Sequence, residues 1–267
     1  EKVLGLDAFN EVIKIDQSPI GKSSRSNPAS YVGILPFIRD LLASTQIARE
    51  RGYKSGRFSF NVEGGRCENC KGEGLKKIEM YFLQDTFIKC EYCDGERFNN
   101  QTLDIKYRGK NISDILSLTF DEAKLFFSSI PHILKKINVL IDVGLGYLKL
   151  GQPANFLSGG ESQRLKLATE LSKANKNMTL YILDEPTTGL HVHDVKLLLE
   201  TLIRLRDSNN TLVIIEHNLD VIKSCDWIID LGPGGGLNGG NVLFQGKIKE
   251  ILSHRNSLTG KFLKKKI

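Results

Sequence analysis

The segment 156–191 sets the strongest limits on how this chain can fold. It contains a short apolar run at 180–183 that is followed at once by Asp184 and Glu185. Such a run predicts a buried strand that delivers both acids at its carboxyl end. A carboxylate in that position can hold Mg²⁺, and a second one beside it can orient or deprotonate a water molecule. A strand that merely happens to end in two acids is the plainer alternative.

A helix start lies a short distance upstream, at 158–161. Ser158, Gly159 and Gly160 stand directly before a helical pattern whose apolar face carries Leu165, Ala168 and Leu171. A Ser cap followed by two glycines leaves backbone N–H groups unshielded at the positive end of the helix dipole, where anions bind. Ser158 and Glu161 also fit a capping box, which needs no ligand. The two signals together, in this order, are hard to obtain by chance.

Helix and strand patterns alternate in the rest of the carboxyl-terminal half. We expect a helix over 194–207, a strand over 211–215, a helix over 219–224 and a strand over 227–231. Alternation with near-continuous apolar strands predicts an α/β fold with a mainly parallel sheet covered on both faces. Further helices are predicted over 36–51, from a Thr119 cap, and over about 132–143.

Two cysteine pairs mark a compositionally different module at 61–97. Cys67 and Cys70 form one C-x2-C pair, Cys90 and Cys93 form another, and 19 residues separate the pairs. This spacing predicts a zinc site, because each pair can wrap a tight turn and aim both thiolates at one tetrahedral ion. Two disulfides or four free thiols are the alternatives, and a reducing cytosol argues against disulfides.

The stretch between the cysteine pairs interleaves basic and aromatic side chains. It carries Lys76, Lys77, Tyr81, Phe82 and Phe87. Such a pattern can hold unstacked DNA, but it can equally form the small core of a zinc ribbon, which we favour for Tyr81 and Phe87. Residues 18–60 hold seven basic against two acidic residues, which fits either phosphate contacts or a solvated face. The net charge of +6 permits a polyanionic partner without requiring one.

Three sequence segments resemble the ABC-type ATPases. They are LSGGESQR at 157–164, YILDEPTTGLH at 181–191 and IIEH at 214–217, in the order signature, Walker B with D-loop, and switch histidine. With VIIEHNLDVIK and DWIIDLGP added, the chain resembles the C-terminal half of the UvrA family, the damage-recognition ATPases of bacterial nucleotide excision repair. The resemblance extends from about residue 15 to residue 246 and implies an ABC-type core, a helical signature subdomain and an inserted zinc ribbon.

The resemblance also implies roles for individual residues. Ser158, Gly159 and Gly160 would contact the γ-phosphate of a nucleotide held by another nucleotide-binding unit. Asp184 would hold Mg²⁺, Glu185 would act as the base, and His217 would stabilise the transferring phosphoryl group. Gln17 would be the Q-loop residue that senses nucleotide and Mg²⁺. ATP, Mg²⁺ and Zn²⁺ are the implied cofactors.

The implied partners are damaged double-stranded DNA and UvrB, with a homodimeric intact protein in the cytoplasm and no membrane. We expect a nucleotide-binding core at 1–17 and 175–267, a helical signature domain at 18–60 and 98–174, and a zinc module at 61–97. Gly21-Lys22-Ser23 is not a phosphate loop, because Asp16 stands where the first glycine is required. In the family that loop lies upstream, so we expect a fragment that hydrolyses almost no ATP alone.

Two other functions remain open from the sequence. The cysteine pattern alone permits a zinc-dependent DNA-binding or adaptor module without ATPase activity. The signature and Walker B segments alone permit the ATPase subunit of a transporter, although the zinc insertion does not fit it. No apolar run in the chain reaches the roughly 18 residues of a membrane span.

Overall fold

The computed structural model of the protein describes residues 3–21, 23–78, 86–172, 178–234 and 239–266. The strands in these ranges are β1 (Glu11–Ile15), β2 (Leu75–Ile78), β3 (Thr86–Lys89), β4 (Thr179–Asp184), β5 (Thr211–Ile215), β6 (Ile228–Gly232) and β7 (Asn241–Gly246). The helices are α1 (Pro28–Tyr31), α2 (Leu35–Ala43), α3 (Gln46–Glu50), α4 (Asn100–Leu103), α5 (Ile112–Ser117), α6 (Phe120–Phe126), α7 (Pro131–Asp142), α8 (Gly159–Ser172), α9 (Val192–Asp207), α10 (Leu219–Lys223), α11 (Ile248–Ile251) and α12 (Leu258–Lys266).

A parallel sheet in the order β1–β4–β5 positions the segments that carry the predicted chemistry. Ile15 pairs with Leu183, and Asp184 pairs with Ile215, so the carboxyl ends of all three strands lie at one edge of the sheet. The predicted parallel α/β fold is confirmed. β4 ends at Asp184 and β5 covers 211–215, as the apolar runs predicted.

One face of this sheet packs on the main hydrophobic core, and the other does not. Tyr181 and Leu183 of β4 are buried in that core, where Leu198 of α9 also packs. On the opposite face, Val213 and Ile215 of β5 are 50% and 53% exposed. The prediction of a sheet covered on both faces is therefore wrong for the part of the chain described. Apolar strands indicate that a face is suited to burial, but they do not show which polypeptide buries it.

The helical part differs most clearly from its prediction at 36–51. The single helix expected over 36–51 is divided into α2 and α3. The hydroxyls of Ser44 and Thr45 donate to the carbonyls of Leu41 and Leu42, which ends the first helix by competing with backbone hydrogen bonds. Thr119 caps α6 through a capping box, as its sequence predicted. Among the described helices, none has the length and apolar character needed to cross a membrane.

Two smaller antiparallel hairpins complete the fold. β2 pairs with β3 inside the cysteine module, and β6 pairs with β7 near the carboxyl end of the chain. The second hairpin packs Ile228 against Ile251 and Leu263, which belong to α11 and α12. β6 begins one residue later than the predicted strand, a small shift of the kind common at strand ends.

Candidate functional site

The signature turn forms the predicted capping box at the start of α8. The Ser158 N–H donates to the Glu161 carboxylate at 2.7 Å, and the Glu161 N–H donates to the Ser158 hydroxyl at 3.2 Å. The Tyr147 hydroxyl also donates to Glu161, at 2.7 Å. Partial burial, as the larger cause, and this hydrogen bond to Glu161, as the smaller one, raise the pKa of Tyr147 to about 12. The capping residues are thus held by the loop ahead of α8.

The two glycines of the signature turn occupy different environments. Ser158 is exposed, Gly159 is partly exposed and Gly160 is buried. A Cβ atom at 160 would lie 2.8 Å from the Thr188 carbonyl oxygen, so only glycine fits without a shift of the backbone. An incoming anion can therefore reach Ser158 and Gly159 from solvent, whereas Gly160 brings α8 against the turn that follows β4.

Glu185 and His217 come together at the carboxyl edge of the sheet. Their side chains follow β4 and β5, and His217 Nε2 lies 3.4 Å from Glu185 Oε1. Glu185 has a φ of 44°, in the left-handed region that few non-glycine residues adopt. Its N–H donates to the Ile215 carbonyl at 2.8 Å, which extends the strand pairing past Asp184. Asp184 itself is exposed at the strand end.

Gln17 follows β1 at the same edge of the sheet and is exposed. A Cβ atom placed on Gly159 would lie 3.1 Å from the Gln17 side chain, so the two positions are neighbours. The structure therefore gathers Gln17, Asp184, Glu185 and His217 behind the ends of three adjacent strands. An edge of this kind is where α/β sheets place ligands.

Two polar residues of α8 that the sequence patterns did not identify hold the helix against this edge. The Gln163 side chain is buried, and its amide donates to the carbonyls of Ile15 at 3.1 Å and Asp184 at 2.6 Å. Lys166, one turn later, donates to the Asp16 carboxylate at 2.6 Å. Hydrogen bonds from Lys166 and Ser18 hold the pKa of Asp16 well below its usual range. Gln163 and Lys166 are three residues apart and therefore lie on one face of α8. This spacing is the only local sign in the sequence that both hold the helix against the sheet.

The four cysteines of the zinc prediction converge on one buried cluster. Their Sγ atoms all lie within 4.8 Å of one another, and those of Cys70 and Cys93 are 3.7 Å apart. Four thiolates around a tetrahedral Zn²⁺ would stand about 3.8 Å apart, whereas a disulfide needs about 2.05 Å. All four are free cysteines here. The donor set and spacing thus fit zinc.

The backbone around the cysteines is shaped for thiolate ligands. Lys71, Gly72 and Gly74 of the first turn have positive φ, as do Asp94 and Gly95 of the second. The Gly74 N–H points at the Cys70 sulfur at 3.2 Å. Burial raises the pKa of both the Cys70 and Cys93 thiols, so a nearby cation would favour the deprotonated form that binds metal. A divalent metal ion would supply that charge.

The cysteine module contacts the segment that leads into the signature turn. The Phe87 ring on β3 packs edge-on against Phe156, with centroids 5.8 Å apart. Phe87 is therefore not the ribbon core that its sequence position favoured, since it is 37% exposed and its ring contact lies outside the module. Tyr81 and Phe82 lie outside the described residues, as does Lys22.

Several basic residues of 18–60 have structural partners. Arg39 donates to the Ser55 carbonyl, Arg51 pairs with Asp104, and Arg57 donates to the Thr102 hydroxyl. Arg49 and Lys54 remain exposed. Part of the positive charge therefore stabilises the fold, and the exposed part is open to solvent or to a polyanion.

Comparison with known proteins gives one consistent result. No protein-family model matches the chain. The chain is 59% identical over 265 residues to UvrABC system protein A of Aquifex aeolicus, and the alignment covers 99% of this chain and 29% of the relative. It is 57% identical over 265 residues to the protein of that name in Deinococcus radiodurans, covering 99% of this chain and 26% of the relative.

A solved structure shows the same likeness in three dimensions. The crystal structure of UvrA2 from Deinococcus radiodurans superposes with a TM-score of 0.92 at 48% sequence identity, covering 97% of this chain and 32% of that chain. The chain thus spans less than a third of the length of the proteins that it matches.

Proposed function

Because 99% of this chain aligns at 59% identity with a UvrABC system protein A, it belongs to the UvrA family, and we propose that it is part of an ATP-driven machine that recognises damaged DNA in nucleotide excision repair. The observation that carries the catalytic part of this proposal is the 3.4 Å approach of His217 to Glu185 behind adjacent parallel strands. A strand-end acid beside a switch histidine is suited to orienting water and stabilising a transferring phosphoryl group.

In the proposed mechanism each residue of the edge has one task. Glu185 orients or deprotonates the attacking water, and His217 donates to the phosphoryl oxygens as their charge develops. Asp184 holds Mg²⁺, which neutralises phosphate charge when bound, and Gln17 contacts the nucleotide from the neighbouring strand end. The left-handed backbone of Glu185 keeps its carboxylate facing His217 instead of continuing the direction of β4.

The signature turn serves a second nucleotide cleft in this proposal. Ser158 and Gly159 are accessible, and the Ser158 hydroxyl and the Gly159 N–H at the start of α8 would donate to the γ-phosphate of a nucleotide held by another unit. Gly160 allows the close approach of α8 to Thr188. Nucleotide bound between two units favours a closed state, so hydrolysis changes the grip on DNA.

The rest of the nucleotide-binding core is proposed to come from other parts of the whole protein. The half-exposed apolar residues Val12, Val213 and Ile215 form a sheet face suited to burial under such a segment, which would also supply the phosphate loop. Within this chain we propose core residues at 1–17 and 175–267, a signature domain at 18–60 and 98–174, and a zinc module at 61–97. The intact protein is proposed to be a cytoplasmic homodimer that passes damaged DNA to UvrB.

The cysteine module is proposed to bind Zn²⁺ and to take part in contacts with damaged duplex DNA. Cys67, Cys70, Cys90 and Cys93 are the proposed ligands, which is supported by the gathering of their sulfur atoms within 4.8 Å of one another and by the 3.7 Å separation of those of Cys70 and Cys93. Exposed Arg49 and Lys54 are proposed to contact the DNA backbone, where each phosphate contact strengthens binding in a salt-dependent way.

The test is the steady-state ATPase activity of the whole protein with and without damaged duplex DNA. Glu185→Gln should abolish turnover while nucleotide binding persists, because the amide cannot accept a proton from water. Glu200→Gln, on the exposed face of α9, is the matched control and should keep full activity. Turnover by Glu185→Gln at the unsubstituted rate would refute the assignment.

The same assay separates the other functions. Zinc-dependent DNA binding without any ATP turnover would indicate an adaptor, and stimulation by membrane components instead of DNA would indicate a transporter subunit.

A further inference from the structure

Glu216 connects the two turns that carry Glu185 and His217. Its Oε1 atom accepts hydrogen bonds from the Thr187 N–H at 2.8 Å and from the Thr187 hydroxyl at 2.5 Å. Its Oε2 atom accepts from the N–H groups of His217 at 2.9 Å and Asn218 at 3.0 Å. One carboxylate thus receives three backbone donors and one hydroxyl, all from the segments directly after β4 and β5.

We propose that Glu216 is a positioning residue that sets the distance between the Glu185 carboxylate and the His217 ring. The inference rests on the proposed ATPase function and deepens it by naming a residue that does not itself touch the nucleotide. Regular pairing between β4 and β5 ends at Asp184 and Ile215. One further backbone bond, from Glu185 to Ile215, follows at 2.8 Å. Beyond it, the Glu216 carboxylate joins the two turns.

The donor set explains why a carboxylate is required at this position. An ionised carboxylate is an acceptor only, with room for four hydrogen bonds on its two oxygens. A glutamine keeps one acceptor oxygen but turns an NH₂ group towards donors that then have no partner. Leaving a backbone N–H without an acceptor in a half-buried place is unfavourable, so the turns would move apart. The chemistry of the catalytic pair would change although both side chains remain.

The turn that Glu216 holds also abuts the signature helix. Thr188 follows Thr187, and its carbonyl oxygen would lie 2.8 Å from a Cβ atom at Gly160. Thr188 also donates to the Glu185 carboxylate at 3.3 Å. Movement of this turn would therefore change the position both of Glu185 and of the start of α8, which serve separate nucleotide clefts in the proposed function.

The experiment compares Glu216→Gln, Thr187→Val, Thr187→Ser and the double variant Glu216→Gln/Thr187→Val in the whole protein, with Glu200→Gln as the control. We expect kcat for ATP to fall roughly 10- to 100-fold in Glu216→Gln, the effect of misplacing catalytic groups by about 1 Å, while KM stays within about twofold. Thr187→Val should show a smaller fall in kcat. Thr187→Ser keeps the hydroxyl, so its kcat should stay close to that of the unsubstituted protein.

Because Thr187 and Glu216 act through the same contacts, the double variant should be no slower than Glu216→Gln alone. Unchanged kcat in Glu216→Gln, beside an active unsubstituted protein, overturns the inference and leaves the proposed function standing. Equal kinetics for Thr187→Val and Thr187→Ser overturn it as well, and this pair decides the matter if Glu216→Gln does not fold. Absence of turnover in the unsubstituted protein overturns the proposed function, and the inference with it.

Discussion

The guanidinium of Arg97 donates a hydrogen bond to the carbonyl of Gly151 at 3.1 Å. The backbone carbonyl of the same arginine accepts from the Cys67 N–H at 2.8 Å. Arg97 is buried, and its guanidinium lies 5.7 Å from the centre of the Phe60 ring. Burial lowers its pKa, whereas the nearby thiols of the cysteine cluster act in the opposite direction. Arg97 thus joins the cysteine module, through its backbone, to the segment that precedes the signature turn, through its side chain.

Replacing Arg97 with methionine should loosen the zinc module. The change keeps the bulk of the aliphatic stem but leaves the Gly151 carbonyl without its donor, an effect of about 2 kcal/mol for a bond to a charged group. We expect faster release of zinc to a chelator, followed with a metallochromic dye on the whole protein. Arg108→Met is the matched control, since Arg108 also donates to a backbone carbonyl, that of Phe126. Equal release rates from both variants would contradict the prediction.

Replacing Cys67 with serine should remove the proposed metal ion and the proposed preference for damaged DNA. Three remaining thiolates bind zinc far more weakly than four, so the zinc content of the whole protein should fall by about one ion per molecule. The readouts are metal analysis and binding to matched damaged and undamaged duplexes at one salt concentration. Cys225→Ser, outside the cluster, should keep both properties. Loss of zinc with unchanged discrimination would show that the module does not act in damage recognition.

Replacing Gln163 with leucine should destabilise the contact between α8 and the sheet. The buried amide donates to two carbonyls, those of Ile15 and Asp184, and leucine removes both hydrogen bonds. We expect a loss of roughly 2–4 kcal/mol in the free energy of unfolding, measured by urea denaturation of the whole protein. Gln46→Leu, on the exposed side of α3, should change stability by only about 0.5 kcal/mol. A similar small change for Gln163→Leu would show that water replaces the amide.

Replacing Lys166 with methionine should alter how stability depends on pH. Lys166 lowers the pKa of Asp16, so the pair stabilises the fold above the ordinary carboxyl pKa of about 3.9 and loses this effect as the pH falls further. Lys166→Met should therefore unfold at a lower temperature than the unsubstituted protein at pH 7, and the difference should shrink between about pH 5 and pH 2. Thermal unfolding at several pH values measures it, with Lys196→Met as the control. A difference that stays constant on acidification would argue against the ion pair.

Features that depend on local patterns could be predicted from the sequence. The capping box of Ser158 and Glu161, the strand that ends at Asp184 and the cysteine cluster each lie in a short segment with its own physical signature. The catalytic and nucleotide-binding roles of Gln17, Ser158, Gly159, Gly160, Asp184, Glu185 and His217 remain predictions. What the structure adds is that Glu185 and His217 meet, as their places behind neighbouring strands require.

Residues that act through distant contacts could not be found in this way. Gln163 reaches a carbonyl 148 positions away, and Arg97 reaches one 54 positions away. Neither distance leaves a trace in local spacing. Glu216 stands beside His217 in a recognisable segment, yet its task follows only from the position of Thr187 on another strand end. The helix expected over 36–51 is divided because the hydroxyls of Ser44 and Thr45 donate to nearby backbone carbonyls.

The uncovered face of the sheet has a practical consequence for anyone who expresses these residues alone. Val213 and Ile215 lie exposed on this face, and Ile229 and Leu231 of the separate β6–β7 hairpin are each 62% exposed, so a purified segment would present several exposed aliphatic side chains to water. Copies of such a segment tend to cluster through surfaces of this kind. Weak or concentration-dependent activity or binding of the isolated polypeptide would then reflect self-association of its copies instead of the chemistry of the strand ends.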